Sequence, residues 1–306
     1  MNGAISTQAG RAQMRGASDS TPPLLTPAPV FLPAMHALAD EKSTETDPQP
    51  LVRTLPTASF RMTLSHPSAY NYVARLATSP KDVQAAQRIR FEVFNLELGE
   101  GLEQSKRTGL DSDPFDEVCD HLIVENQQTG EVVGTYRMQT GPQAARYRGY
   151  YSAREFDFSP FEPWRAELVE LGRACVAREH RNLQVLQLLW RGIAFYARTF
   201  GARYLVGCSS INSQEPAVGA ALYSALIRRH FAPVQFQTRP LPELACSLTA
   251  LTEEAPKVPK LLGAYLALGA TICGPPALDR EFRTIDFLTL LDLKNLPKRS
   301  VDKFLR

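Results

Sequence analysis

Along the chain, apolar side chains at Val83, Ala86, Ile89, Val93 and Leu96 recur at the three-to-four-residue step of a helix with one buried face. The preceding SPKD fixes its start: Ser79 is the N-cap, Pro80 takes the first helical position and Asp82 completes a capping box, while Gly99 and Gly101 offer the stop. A second helical period runs through Leu186, Leu189, Trp190, Ile193, Ala197 and Phe200 and closes at Gly201, and a third covers about 216 to 229. Between them lie segments with strand character. AYNYVARLAT (69 to 78) is aromatic and β-branched, HLIVEN and EVVGTYRMQT flank the short loop QQTG as a hairpin, and ELVELGRACV supplies a third strand. RYLVGCSSI has the unbroken apolar character of a buried strand. The pattern predicts an antiparallel meander that feeds a strand–helix–strand unit. Farther on, PVQFQTRPL also reads as a strand, and the block from KLLGAYLALGA to FLTLLDL as a short apolar helix and a last strand.

Composition changes the picture at one end. Residues 1 to 59 are rich in Ser, Thr, Pro, Ala and Gly with no sustained period, which predicts a flexible tail ahead of a single domain over 60 to 306. With 34 basic and 32 acidic residues there is no global electrostatic case for nucleic acid, so a polyanionic partner must meet a local patch. The five cysteines are scattered, odd in number and without CxxC spacing, which suits reduced thiols in a cytoplasmic setting and argues against disulfides or zinc. His121 beside Cys119 and Asp120 makes no metal site, because three adjacent strand residues cannot all face one ion, and no metal is expected. No stretch reaches the apolar length of a spanning helix.

Two local features carry chemistry. The turn AREHRN joins a strand to a helix, where free backbone N–H groups and the helix dipole hold phosphate, and Arg178 and Arg181 add charge; a solvated basic turn fits equally well. In the strand ELVELGRACV, Glu170 and Arg173 interrupt an apolar run. Alternation puts Glu170 and Gly172 on one face and Val169, Leu171 and Arg173 on the other, unless a bulge turns Arg173 over.

The order strand, helix, meander, ELGRACV, helix, strand, then a helix containing AALYSAL resembles the GNAT acyltransferase superfamily. More narrowly, RxxVF from Arg90 to Phe94, FDEVCDHLIV, GTYRM, ELGRACV, LLWRGIAFY, YLVGCSS and DREFRTIDFLTLLDL resemble the bacterial ornithine N-acyltransferases, with RxxVF, GTYR and ELGR shared by acyl-homoserine-lactone synthases. The resemblance covers about 70 to 293. It implies an α/β (α+β) GNAT fold, with a mixed twisted sheet, an antiparallel N-terminal meander and helices on both faces. It also implies transfer of a 3-hydroxylated fatty acyl chain from acyl carrier protein to the α-amine of ornithine, with the phosphopantetheine thioester as co-substrate and no bound cofactor. Coenzyme-A-dependent relatives carry a glycine-rich turn here, whereas EHRNLQVL has no glycine, which favours a carrier protein with its single phosphodiester.

Roles follow from that chemistry. An amine must lose a proton to attack a thioester, and Glu170 is the candidate base, its alternative being an internal ion pair. Arg173 is expected to pair with Asp116 or Asp120. Backbone N–H groups of Cys175, Val176 and Ala177 would receive the oxyanion if the neighbouring strand splays away, Arg178, Arg181 and Asn182 the phosphate, and Tyr223 would protonate the leaving thiolate. Arg90 or Arg137 is assigned the acceptor carboxylate and Asp113, Asp116 or Asp120 the distal ammonium; the alternative is that these residues brace the N-terminal helix against the meander. Arg178, Arg181, Arg228 and Arg229 form a basic rim for acidic carrier protein, and KLLGAYLALGA allows peripheral contact with the inner membrane leaflet or packs as a core helix. Two other functions stay open: the same chemistry on glycine or a homoserine-lactone-type acceptor, and a non-catalytic acyl-binding or lytic protein.

Overall fold

A computed structural model describes residues 60–63, 71–249 and 257–298. The expected tail at 1 to 59 lies outside the described residues. The chain begins with β1 (Arg61–Thr63) and β2 (Tyr72–Leu76), followed by α1 (Pro80–Phe91), whose last turn continues as a π-helical segment to Glu97. Ser79 accepts from the Asp82 N–H in the expected capping box. After α2 (Ser105–Thr108), the hairpin of β3 (Asp120–Asn126) and β4 (Val132–Thr140) leads through α3 (Gly141–Arg146) and a run of 3-10 turns to β5 (Leu168–Val176). Then come α4 (Leu183–Thr199), β6 (Tyr204–Ile211), α5 (Pro216–His230), α6 (Lys260–Ala267), β7 (Thr271–Ile272), β8 (Ala277–Asp279) and β9 (Thr284–Asp292).

The strands form one sheet in the order β1-β2-β3-β4-β5-β6-β9-β7, with β8 also on β9. Each described pairing between these strands is antiparallel except that of β5 and β6. The meander and helices on both faces agree with the expectation. PVQFQTRPL does not form a strand: Val234–Phe236 is a 3-10 turn, since Pro233 and Pro240 lack the N–H that a ladder needs. Side-chain alternation divides the core into two layers. Leu122, Tyr136, Met138, Val169 and Leu205 pack against Leu189, Trp190 and Ile193 of α4 on one face, while Leu168, Val206, Leu288 and Leu290 meet Phe156, Phe158, Phe161 and Phe236 on the other. KLLGAYLALGA becomes α6, with Leu262 and Leu266 buried.

β5 and β6 position the site. They pair in parallel over only Leu168↔Tyr204, Val169↔Leu205 and Glu170↔Val206, then separate, although β5 runs on to Val176 and β6 to Ile211. The other edge of β6 stays paired with β9 through Ile211. Gly207 stands where the strands part, and the Leu171 carbonyl comes so near that a Cβ there would lie 2.1 Å from its oxygen.

Candidate active site

The parted strands open into a cavity of about 470 Å³ whose lining comes from both sheet faces. On the α4 side it is apolar, with Met138, Leu171, Trp190, Leu205, Leu262 and Leu291 around the hydrogen-bonded hydroxyls of Tyr136 and Tyr265. On the opposite side it is polar and acidic, with Glu100, Glu170, Asp279, Thr284 and Asp286. Such a space accommodates a fatty chain on one side and a charged small molecule on the other, meeting at the strand gap.

Glu170 sits at the last paired position before the gap, 5 % exposed, and lines the cavity. It accepts from Gln139 Nε2 at 2.6 Å, from the Tyr151 N–H at 2.8 Å and from the Ser152 N–H at 2.7 Å. Three donors fix the carboxylate in one orientation. Its partners are therefore neutral, and the alternative of an internal ion pair with Arg173 does not occur. Arg173 is the bulged residue: with Ala174 it stands opposite the single Tyr136, and its φ of 51° is one that side-chain-bearing residues rarely adopt. The bulge turns Arg173 off the Leu171 face toward Asp113 at 2.7 Å, Asp111 at 3.4 Å and the Phe282 ring at 4.1 Å. Its expected partners, Asp116 and Asp120, are replaced by Asp113 and Asp111.

These contacts belong to a closed ring. Asp111 meets Arg90 at 3.0 Å, Arg90 meets Asp116 at 2.7 Å, Asp116 meets Arg137 at 3.0 Å, Arg137 meets Asp113 at 2.6 Å, and Arg173 returns to Asp111. Six alternating charges cancel. Against the upward pull of burial, Arg137 and Arg173 hold the Asp113 carboxyl below its ordinary value, and Arg90 and Arg137 hold Asp116 well below it. Arg90, Arg137 and Asp116 are thus engaged with one another and brace α1 against the meander. Asp120 lies on the α4 face, where it accepts from Tyr196 Oη at 2.7 Å and Gln143 Nε2 at 3.0 Å; strand alternation separates it from Glu170.

Other expected residues divide similarly. Cys175 is buried against Ile89 and Val93, and burial pushes its thiol above the ordinary range, away from the thiolate form. The Ala177 N–H donates to the Val133 carbonyl of the neighbouring β4. Alternation along an antiparallel edge then aims the N–H groups of Ala174 and Val176, not Cys175 and Ala177, at the open side. Asn182 caps α4 through the Val185 N–H, and Arg181 and Arg178 reach Glu97 at 2.7 Å and 3.3 Å, so the basic turn is partly neutralised. Tyr223 of α5 packs against the apolar cluster that holds Leu222, Leu226 and Ile285, and it does not line the cavity.

The acidic wall was not singled out from the sequence. Oxygens of Glu155 and Asp286 and the sulfur of Cys208 lie within 4.8 Å of one another, a grouping also able to hold a cation such as a metal ion. Burial and the Asp286 charge raise the Glu155 carboxyl well above its ordinary value, burial and Asp279 push Asp286 up to about 6, and burial and Asp286 push Glu100 up to about 7. A sequence signal existed: Asp286 interrupts the apolar TIDFLTLL as Glu170 interrupts its own strand.

The acetyltransferase (GNAT) domain family matches residues 89–191. Two relatives, both L-ornithine N(alpha)-acyltransferases, align over 75 % of this chain: that of Brucella abortus is 34 % identical over 87 % of its own length, and that of Agrobacterium fabrum 31 % over 84 %. Among solved structures, FeeM, an N-acyl amino acid synthase from uncultured soil microbes, aligns over 74 % of this chain and 93 % of its own at 18 % identity, with a TM-score of 0.43. By identity and coverage along nearly the whole of those relatives, this chain belongs to the L-ornithine N(alpha)-acyltransferase family, acyltransferases built on the GNAT domain.

Proposed function

We propose that this acyltransferase moves a fatty acyl chain from the phosphopantetheine thioester of acyl carrier protein to the α-amine of ornithine, giving lyso-ornithine lipid. The observation that carries this is the two-sided cavity opening at the β5–β6 gap, apolar toward α4 and acidic toward Glu100 and Asp286. The acyl chain lies along the apolar wall, its carbonyl carbon enters the gap, and the acceptor approaches from the acidic side. Glu170, at the root of the gap, takes one ammonium proton; the nitrogen lone pair then forms the C–N bond, and as the C–S bond breaks the second nitrogen proton passes to the departing sulfur, which leaves as the thiol. The N–H groups of Ala174 and Val176 receive the developing oxyanion. For the donor, the turn before α4 lacks glycine and carries Arg178, Arg181 and Asn182, which suits one phosphodiester. Among the described residues no helix is long and apolar enough to cross a membrane. We place the reaction in the cytoplasm, with the amphiphilic product leaving to the adjacent membrane surface.

The test is acyl transfer by purified full-length protein from 3-hydroxyacyl carrier protein, with acyl-coenzyme A as the competing donor and glycine as the competing acceptor. Glu170→Gln is expected to lower kcat/KM for ornithine by about 10²-fold at neutral pH, the deficit shrinking as pH rises and the free amine becomes abundant. Unchanged turnover at neutral pH removes Glu170 as the base. Equal use of coenzyme A removes the carrier-protein assignment, and preference for glycine removes ornithine.

A further inference from the structure

Among the described residues, none of Glu100, Glu155, Asp279 and Asp286 forms a salt bridge, although the charged ring of Arg90, Arg137 and Arg173 is built on the same face of the sheet. Asp286 is 4 % exposed, lines the cavity, and its Oδ1 has no hydrogen-bond partner; Thr284 Oγ1, 1 % exposed on the same wall, has none either. Leaving a buried carboxylate oxygen without a donor is costly, and folded proteins tolerate it where a ligand supplies the missing partner. Asp279 differs, since its Oδ1 caps the N–H groups of Glu281 and Phe282 at 2.7 and 2.9 Å.

We propose that Asp286, backed by Glu155 and flanked by Thr284, holds the side-chain ammonium of the acceptor and so makes the enzyme select diamino acids. The inference rests on the ornithine reading and names the residues that discriminate. An ammonium offers three N–H donors and a full charge, which meet the Asp286 carboxylate and the Thr284 hydroxyl together. The register supports the spacing. Glu170 lies opposite Val206 and Asp286 opposite Ser210, on the same sheet face, so the two are offset by four positions of β6, roughly 13 Å along the strands, and by two strand spacings, roughly 10 Å, across them. The inward reach of two carboxylates and a three-carbon side chain fills that distance, placing the α-amine at Glu170 when the distal ammonium sits at Asp286. A metal ion is the weaker occupant, because burial pushes the Cys208 thiol and the Glu155 carboxyl well above their ordinary values, against the deprotonated ligands that a metal needs.

The experiment compares ornithine with norvaline, which is ornithine without its side-chain amine, in acyl transfer and in thermal unfolding of the full chain. In the wild type, ornithine is expected to be preferred and to raise Tm, whereas norvaline does neither. Asp286→Asn is expected to raise KM for ornithine on the order of 30-fold while largely sparing kcat, to bring the ornithine-to-norvaline preference toward unity, and to abolish the Tm rise. Glu155→Gln follows in the same direction with a smaller loss, and decides alone if Asp286→Asn fails to fold. An unchanged preference in the variants overturns the proposal, as does a Tm rise with Mn²⁺ alone that ornithine does not reproduce. Failure of the ornithine reading looks different: no transfer to ornithine in the wild type, while 1,4-diaminobutane still stabilises wild type and not Asp286→Asn. That result leaves the ammonium site standing.

Discussion

Two groups of buried carboxylates share one face of the sheet and have opposite electrostatics. Asp111, Asp113 and Asp116 alternate with three arginines in a closed ring, and Asp113 and Asp116 titrate below their ordinary values. Glu155 and Asp286 have no such partners and titrate above theirs. Burial is alike in the two groups, so partnering makes the difference. A carboxylate that has its cation already is part of the frame; one held without it waits for a ligand. This contrast moves acceptor recognition away from Asp113, Asp116 and Asp120 and toward the far wall of the cavity.

The strongest way to break the contrast is to open the ring. Arg90 is fully buried and bridges Asp111 and Asp116, so Arg90→Met leaves two carboxylates short of charge in the interior. The expected loss of stability is about 4 kcal/mol by urea unfolding, the cost of removing one member of a buried ion pair. A loss below about 1 kcal/mol would mean that water reaches the ring and that it is not structural.

The second test reverses sign. A folded-state value raised from 3.8 to about 6 means that native Asp286 holds a proton more tightly than the unfolded chain does, so this group lowers stability as pH rises through that window and costs most above it. Asp286→Asn is therefore expected to stabilise the ligand-free protein by about 2 kcal/mol at pH 7.5, an advantage that fades as pH falls toward 4. The groups facing Asp286 are Glu155, Asp279 and Glu100, with Arg173 the cation that acts on Glu155, so residual dependence in the variant reports Glu155 and Glu100. A variant less stable than wild type at pH 7.5 makes Asp286 a member of the frame after all.

Legibility in the sequence followed the same division. The α1 capping box, the β3–β4 hairpin, the Glu170 strand and α4 were readable because each is set by residues close together in the chain. The charged ring was readable only as a bracing alternative, since RxxVF and GTYRM name the arginines and not their partners. The turn of Arg173 was not readable: nothing in ELGRACV marks a bulge at an arginine. The acidic wall was hidden for a different reason. Glu155 sits in a run of 3-10 turns and Asp286 in β9, far apart in the chain, and they meet only in the folded structure. Even so, one acid inside an apolar strand was a clue available twice, at Glu170 and at Asp286.

Asp120 supplies the intermediate case and the smallest effect. It is buried like the others, but it accepts from a phenol and an amide, Tyr196 Oη and Gln143 Nε2. Tyr196→Phe removes the 2.7 Å donor, leaves the 3.0 Å amide in place and changes no charge. The expected cost is about 1 kcal/mol in urea unfolding, with the ornithine-to-norvaline preference unchanged, because Asp120 faces α4 and is not part of the cavity wall. A shift in that preference would show that acceptor recognition extends across the sheet, and the two groups of carboxylates would then act as one.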